Sequence, residues 1–185
     1  SVEVNPMITR LKKTLGRFRK DEDGSALLLE FVIFVPLIFS LFLMSVEMGI
    51  YSMRHMFLDR GLDITVRYVR LNTNTNITHN QLKEMICDYS GFLDDCENTL
   101  RLEMAPLDPR QFAQFDQAAD CVDLSQPVQD PRGFDLGREH QLMILRACYR
   151  FKPVFPTTGL GYAFSKDGSG RARMISTAAF VQEPN

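Results

Sequence analysis

The chain has 185 residues, of which 45% are hydrophobic and 24% charged, so it carries the apolar content of one folded domain with room for an appendage and is no disordered polymer. Its 21 basic and 23 acidic side chains leave a net charge of −2, which argues against a general nucleic-acid binder. The average hides an asymmetry: Glu30 and Glu47 are the only charges between Gly24 and Arg54.

Residues 1–24 are a polar leader in which Arg10, Lys12, Lys13, Arg17, Arg19 and Lys20 outnumber the acids. Met7, Ile8, Leu11, Leu15 and Phe18 recur at helical spacing. Two readings stay open, a solvated leader and a short amphipathic helix on an anionic membrane surface. Residues 25–50 read SALLLEFVIFVPLIFSLFLMSVEMGI, with no charge from Phe31 to Val46. At about 1.5 Å per residue this stretch is long enough for a bilayer core of about 30 Å. It is expected to be a transmembrane helix in contact with lipid. A cleaved secretory signal fits less well, because no clean small-x-small site follows Ser45. Six basic residues precede the span, and Arg54, Arg60, Arg67 and Arg70 follow it, which favours a cytoplasmic N-terminus.

Residues 51–71 continue the helix. Met53, Met56, Phe57, Ile64, Tyr68 and Leu71 make an apolar stripe, and Asp59, Arg60, Asp63, Arg67 and Arg70 a polar face on which Asp63 and Arg67 are an opposite-charge i,i+4 pair. Asn72-Thr-Asn-Thr-Asn stops the helix, and Thr78 with Gln81 reads as a capping box opening a second helix to about Cys87. Alternation then predicts three strands, Thr99–Met104, Leu142–Phe151 and Arg173–Val181, as a half-exposed antiparallel sheet. Leu100, Leu102 and Met104 share one face of the first, and Leu145, Ala147, Tyr149 and Phe151 one face of the second. Ile175, Thr177, Ala179 and Val181 share one face of the third. Segment 106–141, rich in Pro, Asp and Gln, reads as loop. The expected class is α+β: a long N-terminal transmembrane helix extending over 51–71 into a head, 72–185, with a second helix and a small antiparallel sheet.

Catalytic signals are scarce, and no enzyme activity, cofactor or metal is expected. His55, His79 and His140 are far apart in sequence, Gly168-Ser169-Gly170 lacks a nucleophile-elbow frame, and Gly159-Leu-Gly161 has neither a phosphate-loop Lys nor a third Gly. Asp94-Asp95 and Asp116/Asp120 read as solvated loop charges rather than a calcium site. Asn76-Ile-Thr78 matches a glycosylation sequon, which matters only in a eukaryotic secretory protein. Glu30 stands out, since a carboxylate in a membrane helix costs about 2.5–3.5 kcal/mol and tends to be functional; the alternative is that Glu30, about one turn from the polar leader, snorkels toward it.

The surroundings of Glu30 resemble a known family. A charged leader, Gly24-Ser25-Ala26, Glu30-Phe31 and Pro36 within an apolar helix look like the processing region of class III pre-pilins. They are most similar to the TadE/TadG-like minor pseudopilins of bacterial tight-adherence (Flp-type) pilus systems. Glu47-Met48-Gly49 and Asp59-Arg60-Gly61-Leu62-Asp63 to Arg67 match that family's E-x-G and Arg-rich helix. Leu145–Pro156 and Ser176–Pro184 match its Y-x-F-x-P-x-F-P strand and E-P tail. The resemblance implies an assembly role rather than catalysis. A pre-pilin peptidase would cut at Gly24/Ser25. Glu30 would neutralise the new N-terminal amine of a neighbouring subunit, and Pro36 would let the helix bend or remain as a tolerated kink. The implied partners are that peptidase, other pilins and pseudopilins, the inner-membrane assembly platform and membrane lipid. The implied location is a single pass of the bacterial inner membrane, with the head in the periplasm. Glu30 is the sixth residue after Gly24 where the family usually has the fifth. Cleavage after Ser25, cleavage after Gly24 with a tolerated shift, and an uncut membrane anchor all stay open. A periplasmic enzyme on a signal anchor is a further alternative.

All four cysteines follow the span, in even number and without metal-ligand spacing, as suits an oxidising compartment. Of three possible connectivities, spacing favours Cys87–Cys96, closed by a turn past Ser90-Gly91, and Cys121–Cys148, pinning a loop across the Arg146/Arg150 face of the strand. The alternatives would tie the helix-end cysteines to the sheet.

Overall fold

A computed structural model describes residues 23–73, 75–110, 118–126 and 133–184. The proposed amphipathic leader lies outside the described residues, as does Asp116. Helix α1 runs Asp23–Leu71 with Pro36 inside it. Described residues up to Leu43 form one unit, and those from Met44 onward another.

In the first unit, every side chain from Leu27 to Phe42 is exposed. This helix near the N-terminus is long and apolar enough to span a membrane. Gly24 and Ser25 lie in its first turn and Glu30 about a turn further on, exposed like its neighbours.

The second unit is α+β. Helix α2, His79–Ser90, opens with the expected capping box: the Gln81 N–H donates to Thr78 Oγ1, and the Thr78 N–H donates to Gln81 Oε1. It runs three residues beyond the expected end, to Ser90, because Gly91 supplies the left-handed cap at φ 55° and sends its N–H to the Cys87 carbonyl. A short helix α3, Cys96–Thr99, leads into β1, Leu100–Pro106. Strand β2, Leu142–Phe151, is central, and β3, Ala172–Val181, follows the short helix α4, Gly159–Ala163. The order β1-β2-β3 is antiparallel throughout, with Leu102 opposite Ala147 and Tyr149 opposite Met174.

One sheet face carries Leu100, Leu102, Met104, Leu145, Ala147, Tyr149, Phe151 and Met174 into a core shared with Leu58, Leu62 and Val69 of α1 and Leu82 and Ile86 of α2. On β3 the inward parity is Ala172, Met174, Ser176 and Phe180, opposite to the stripe through Ile175 and Val181. Pairing decided this: Met174 faces Tyr149, so it must share that residue's side of the sheet. The sheet is also less exposed than alternation predicts, because Ile144, Arg146 and Cys148 on the far face are buried too. There the Asp120–Val122 loop is held at three successive residues. Arg101 Nη1 reaches both Asp120 carboxylate oxygens at 3.2 and 3.3 Å, Cys121 is bonded to Cys148, and Arg150 Nε donates to the Val122 carbonyl at 3.0 Å. Asp120 is therefore an anchor of the loop rather than a solvated charge.

Helix α1 buries a face that the apolar stripe did not indicate. Glu47, Arg54, Leu58, Gly61, Leu62, Thr65 and Val69 point inward, while Met53, Met56, Tyr68 and Leu71 are exposed. Close approach to α2 selects Gly61: a Cβ there would meet Ser90 Oγ and stand 2.7 Å from the Ile86 carbonyl oxygen. The Thr65 hydroxyl satisfies the Gly61 carbonyl at 2.8 Å. Because the obstacle is backbone, Gly61→Ala is expected to cost about 1–3 kcal/mol through forced separation of the helices. A thermal midpoint equal to wild type would show that they part freely.

Candidate functional site

The part of the second unit nearest the start of its stretch of α1 is organised by two charged side chains of that helix, seven residues apart on its inward face. Glu47 is 1% exposed, and its carboxylate accepts the N–H groups of Val154 (3.1 Å) and Phe155 (2.8 Å). The segment Pro153-Val154-Phe155-Pro156 explains the pairing. Its two prolines have no N–H, so its only two main-chain donors are the two that Glu47 takes. Arg54 completes the clamp. Its Nη1 donates to the Lys152 carbonyl at 3.1 Å, its Nη2 lies 3.4 Å from Asp94 Oδ2, and the guanidinium sits 5.6 Å from the Phe151 ring centre. Tyr51 packs beside these groups, with its ring centre 5.4 Å from Phe164 and 5.7 Å from Phe151.

The same helix is tied to the chain's end further along. Ser176 Oγ donates to Asp59 Oδ1, Arg70 pairs with Glu183 at 2.7 Å, and the Glu183 N–H donates to the Arg70 carbonyl at 3.3 Å. Thus Glu47, Asp59, Gly61 and Arg70, scattered along α1, receive the strand-end segment 152–155, β3, α2 and the tail in turn. The Asp63–Arg67 pair expected on the polar face is not among the ion pairs of the described residues.

The Asp94 side chain is 87% exposed, as a solvated loop charge should be, whereas Asp95 is held by partners. The Asp94 carbonyl accepts from the Tyr149 hydroxyl at 2.9 Å, and burial pushes that phenol up to about 12. Asp95 adopts φ 54°, accepts from Asn98 at 2.7 Å and pairs with Arg171 at 3.1 Å. The Asn98 amide and then Arg171 hold its carboxyl below the usual range. His79 lies against β1, where its Nε2 accepts the Leu102 N–H at 3.3 Å. Burial lowers its pKa, which keeps the ring neutral and able to accept. It meets neither His55 nor His140 in a cluster: among the described residues no group of three His, Cys, Asp or Glu side chains could hold a metal.

The cysteines pair as Cys87–Cys96 and Cys121–Cys148, with Cα separations of 5.7 and 5.3 Å. Glu30 belongs to the exposed apolar stretch of α1, and the Gly24-Ser25 junction to its first turn. Glu47 enters the sequence reading only as a charge in the apolar run and as the Glu of the E-x-G match, with no structural role expected of it. Its signal was available: a second carboxylate in an apolar run, paired with a distant segment whose prolines leave two adjacent donors. Set against known protein families, curated proteins and solved structures, the chain finds no match.

Proposed function

We propose that the chain is a single-pass pseudopilin-like subunit of a bacterial tight-adherence pilus system, serving assembly rather than catalysis. The observation that carries this reading is the dual use of α1. One uninterrupted helix offers an apolar stretch, exposed on all sides and broken only by Glu30, and then forms the core of a disulfide-bonded head. Such a stretch must be covered by lipid or by the same helix of other subunits, because an exposed apolar surface of that size is costly in water. A lone carboxylate within it requires either the membrane interface or a cationic partner. The motifs that carry the resemblance also support the reading, since they meet in space: Glu47 of the E-x-G segment accepts from Val154 and Phe155 of the proline-flanked segment. On this reading the leader is cytoplasmic, the head lies in the periplasm where its disulfides persist, and a pre-pilin peptidase cuts at Gly24/Ser25. The six-residue spacing to Glu30 favours a second reading, an uncut anchor holding an interaction module.

Expression in cells with an active pre-pilin peptidase and pilus machinery separates the two. Mass spectrometry of membrane-recovered wild type and Glu30→Ala should find both starting at Ser25, or at Ala26, while only wild type is piliated. Removing a carboxylate eases insertion, so Glu30→Ala should reach the membrane in full amount. An intact N-terminus in wild type selects the uncut anchor, and normal piliation by Glu30→Ala removes its pairing role.

A further inference from the structure

The apolar stripe Met53, Met56, Phe57, Ile64, Tyr68 and Leu71 has helical periodicity, yet the face of α1 that the fold buries, through Leu58, Gly61, Leu62 and Thr65, lies to one side of it, about 100° round the helix. Met56 remains 61% exposed, and the Phe57 ring lies tilted against Phe92, itself 44% exposed, with the ring centres 5.4 Å apart. Further along, the stripe borders an open cleft of about 590 Å³ between α1 and α2. Tyr68 and Tyr89, 42% and 50% exposed, line this cleft, with Leu82 and Met85 also in its wall. Glu84 and Asp88 add two carboxylates on successive turns of α2, and neither is in an ion pair among the described residues. Like charges at i,i+4 repel, and a cation supplied between them would relieve that repulsion.

The chain carries a complement elsewhere on the same helix. Arg60 and Arg67 are exposed, two turns apart on one face, and in no ion pair among the described residues. Met56 and Leu71, both exposed, flank them. Arg67 precedes Tyr68 by one residue and so projects about 100° from it around the helix. The basic face and the acidic cleft therefore look in different directions, and one molecule presents both.

We propose that the cleft receives helix α1 of a second copy, with Arg60 and Arg67 seated among Tyr68, Tyr89, Glu84 and Asp88. Guanidinium groups stack on tyrosine faces and pair with carboxylates, and the flanking methionine and leucine cover the apolar walls. Donor and acceptor surfaces differ, so the contact is heterologous and leaves a free cleft at one end of a pair and a free basic face at the other. It propagates rather than closing as a dimer. The proposal concerns head-to-head contact and requires neither leader processing nor Glu30.

The test uses the full chain expressed alone in bacterial membranes, with Tyr89→p-benzoylphenylalanine as the photocrosslinking probe. Irradiation should give dimers and higher oligomers whose cross-linked peptides join position 89 to the Arg60–Arg67 stretch of another copy. Glu84→Arg with Asp88→Arg should lower the yield about tenfold, as should Arg60→Glu with Arg67→Glu, and a chain carrying all four changes should regain it. These positions are exposed, and intact disulfides in non-reducing peptide maps verify the fold. Monomer only, a symmetric 89-to-89 peptide, cross-links solely to other proteins, or no recovery in the fourfold variant would each overturn the proposal. Because no other pilus component is present, these results are independent of piliation.

Discussion

Glu47→Ala is expected to destabilise the head by about 3–5 kcal/mol, the largest effect of any single substitution outside the apolar core. The reasoning starts from two adjacent N–H groups, of Val154 and Phe155, with a single acceptor group between them. Each donor left unsatisfied in a buried setting costs about 1–3 kcal/mol; the Glu47 carboxylate is buried, while the donor of Val154, a residue 43% exposed, stands nearer to water than that of Phe155. Glu47→Gln retains a carbonyl oxygen for one donor but places an amide N–H₂ near the other, so about half the loss is expected. Arg54→Ala releases the Lys152 carbonyl of the same segment. Two residues holding one segment should couple, and the Glu47→Ala/Arg54→Ala pair should cost less than the sum of its parts. Thermal unfolding of the full chain in detergent measures the first effect. Hydrogen exchange at the Val154 and Phe155 N–H groups reports whether segment 152–155 opens before the rest. Wild-type stability in Glu47→Ala would show that the loop is held by the aromatic contacts of Tyr51, Phe151 and Phe164 alone.

Loss of Cys121–Cys148 is the second large effect. This bridge spans 27 residues, and closing a loop of that size restricts the unfolded chain by about 3.5 kcal/mol. Cys87–Cys96, separated by nine residues, is worth about 2.5 kcal/mol by the same argument. Cys121→Ser with Cys148→Ser should therefore lower the thermal midpoint by about 10 °C, more than removal of the shorter bridge. The loop also keeps its Arg101–Asp120 pair and the Arg150 hydrogen bond to Val122. It should thus stay docked at moderate temperature, with hydrogen exchange rising first around residues 120–122. Equal losses for both pairs of substitutions would mean that native-state contacts, rather than chain entropy, set the size of the effect.

The local rules of the chain wrote much of this fold. The apolar run, broken only by Glu30, determined a helix long and apolar enough to span a membrane. Thr78 and Gln81 determined where α2 begins, because their side chains satisfy main-chain donors within one turn. Period-two alternation located all three strands, and cysteine spacing matched both disulfides. Tertiary structure decided which faces were used. The stripe of Met53, Phe57, Ile64 and Tyr68 is as periodic as any core face, but α2 approaches α1 at Gly61, where a Cβ would meet it, and the buried face follows Gly61, Leu58 and Thr65 instead. The inward parity of β3 was open to the same ambiguity, since Ile175 and Met174 are both apolar and only pairing with Tyr149 chooses between them. Glu47 shows the limit most clearly. A carboxylate in an apolar run reads as a cost wherever it stands. Only when the chain brought Val154 and Phe155 against it, more than a hundred residues away, did that charge acquire two donors and become a joint of the structure.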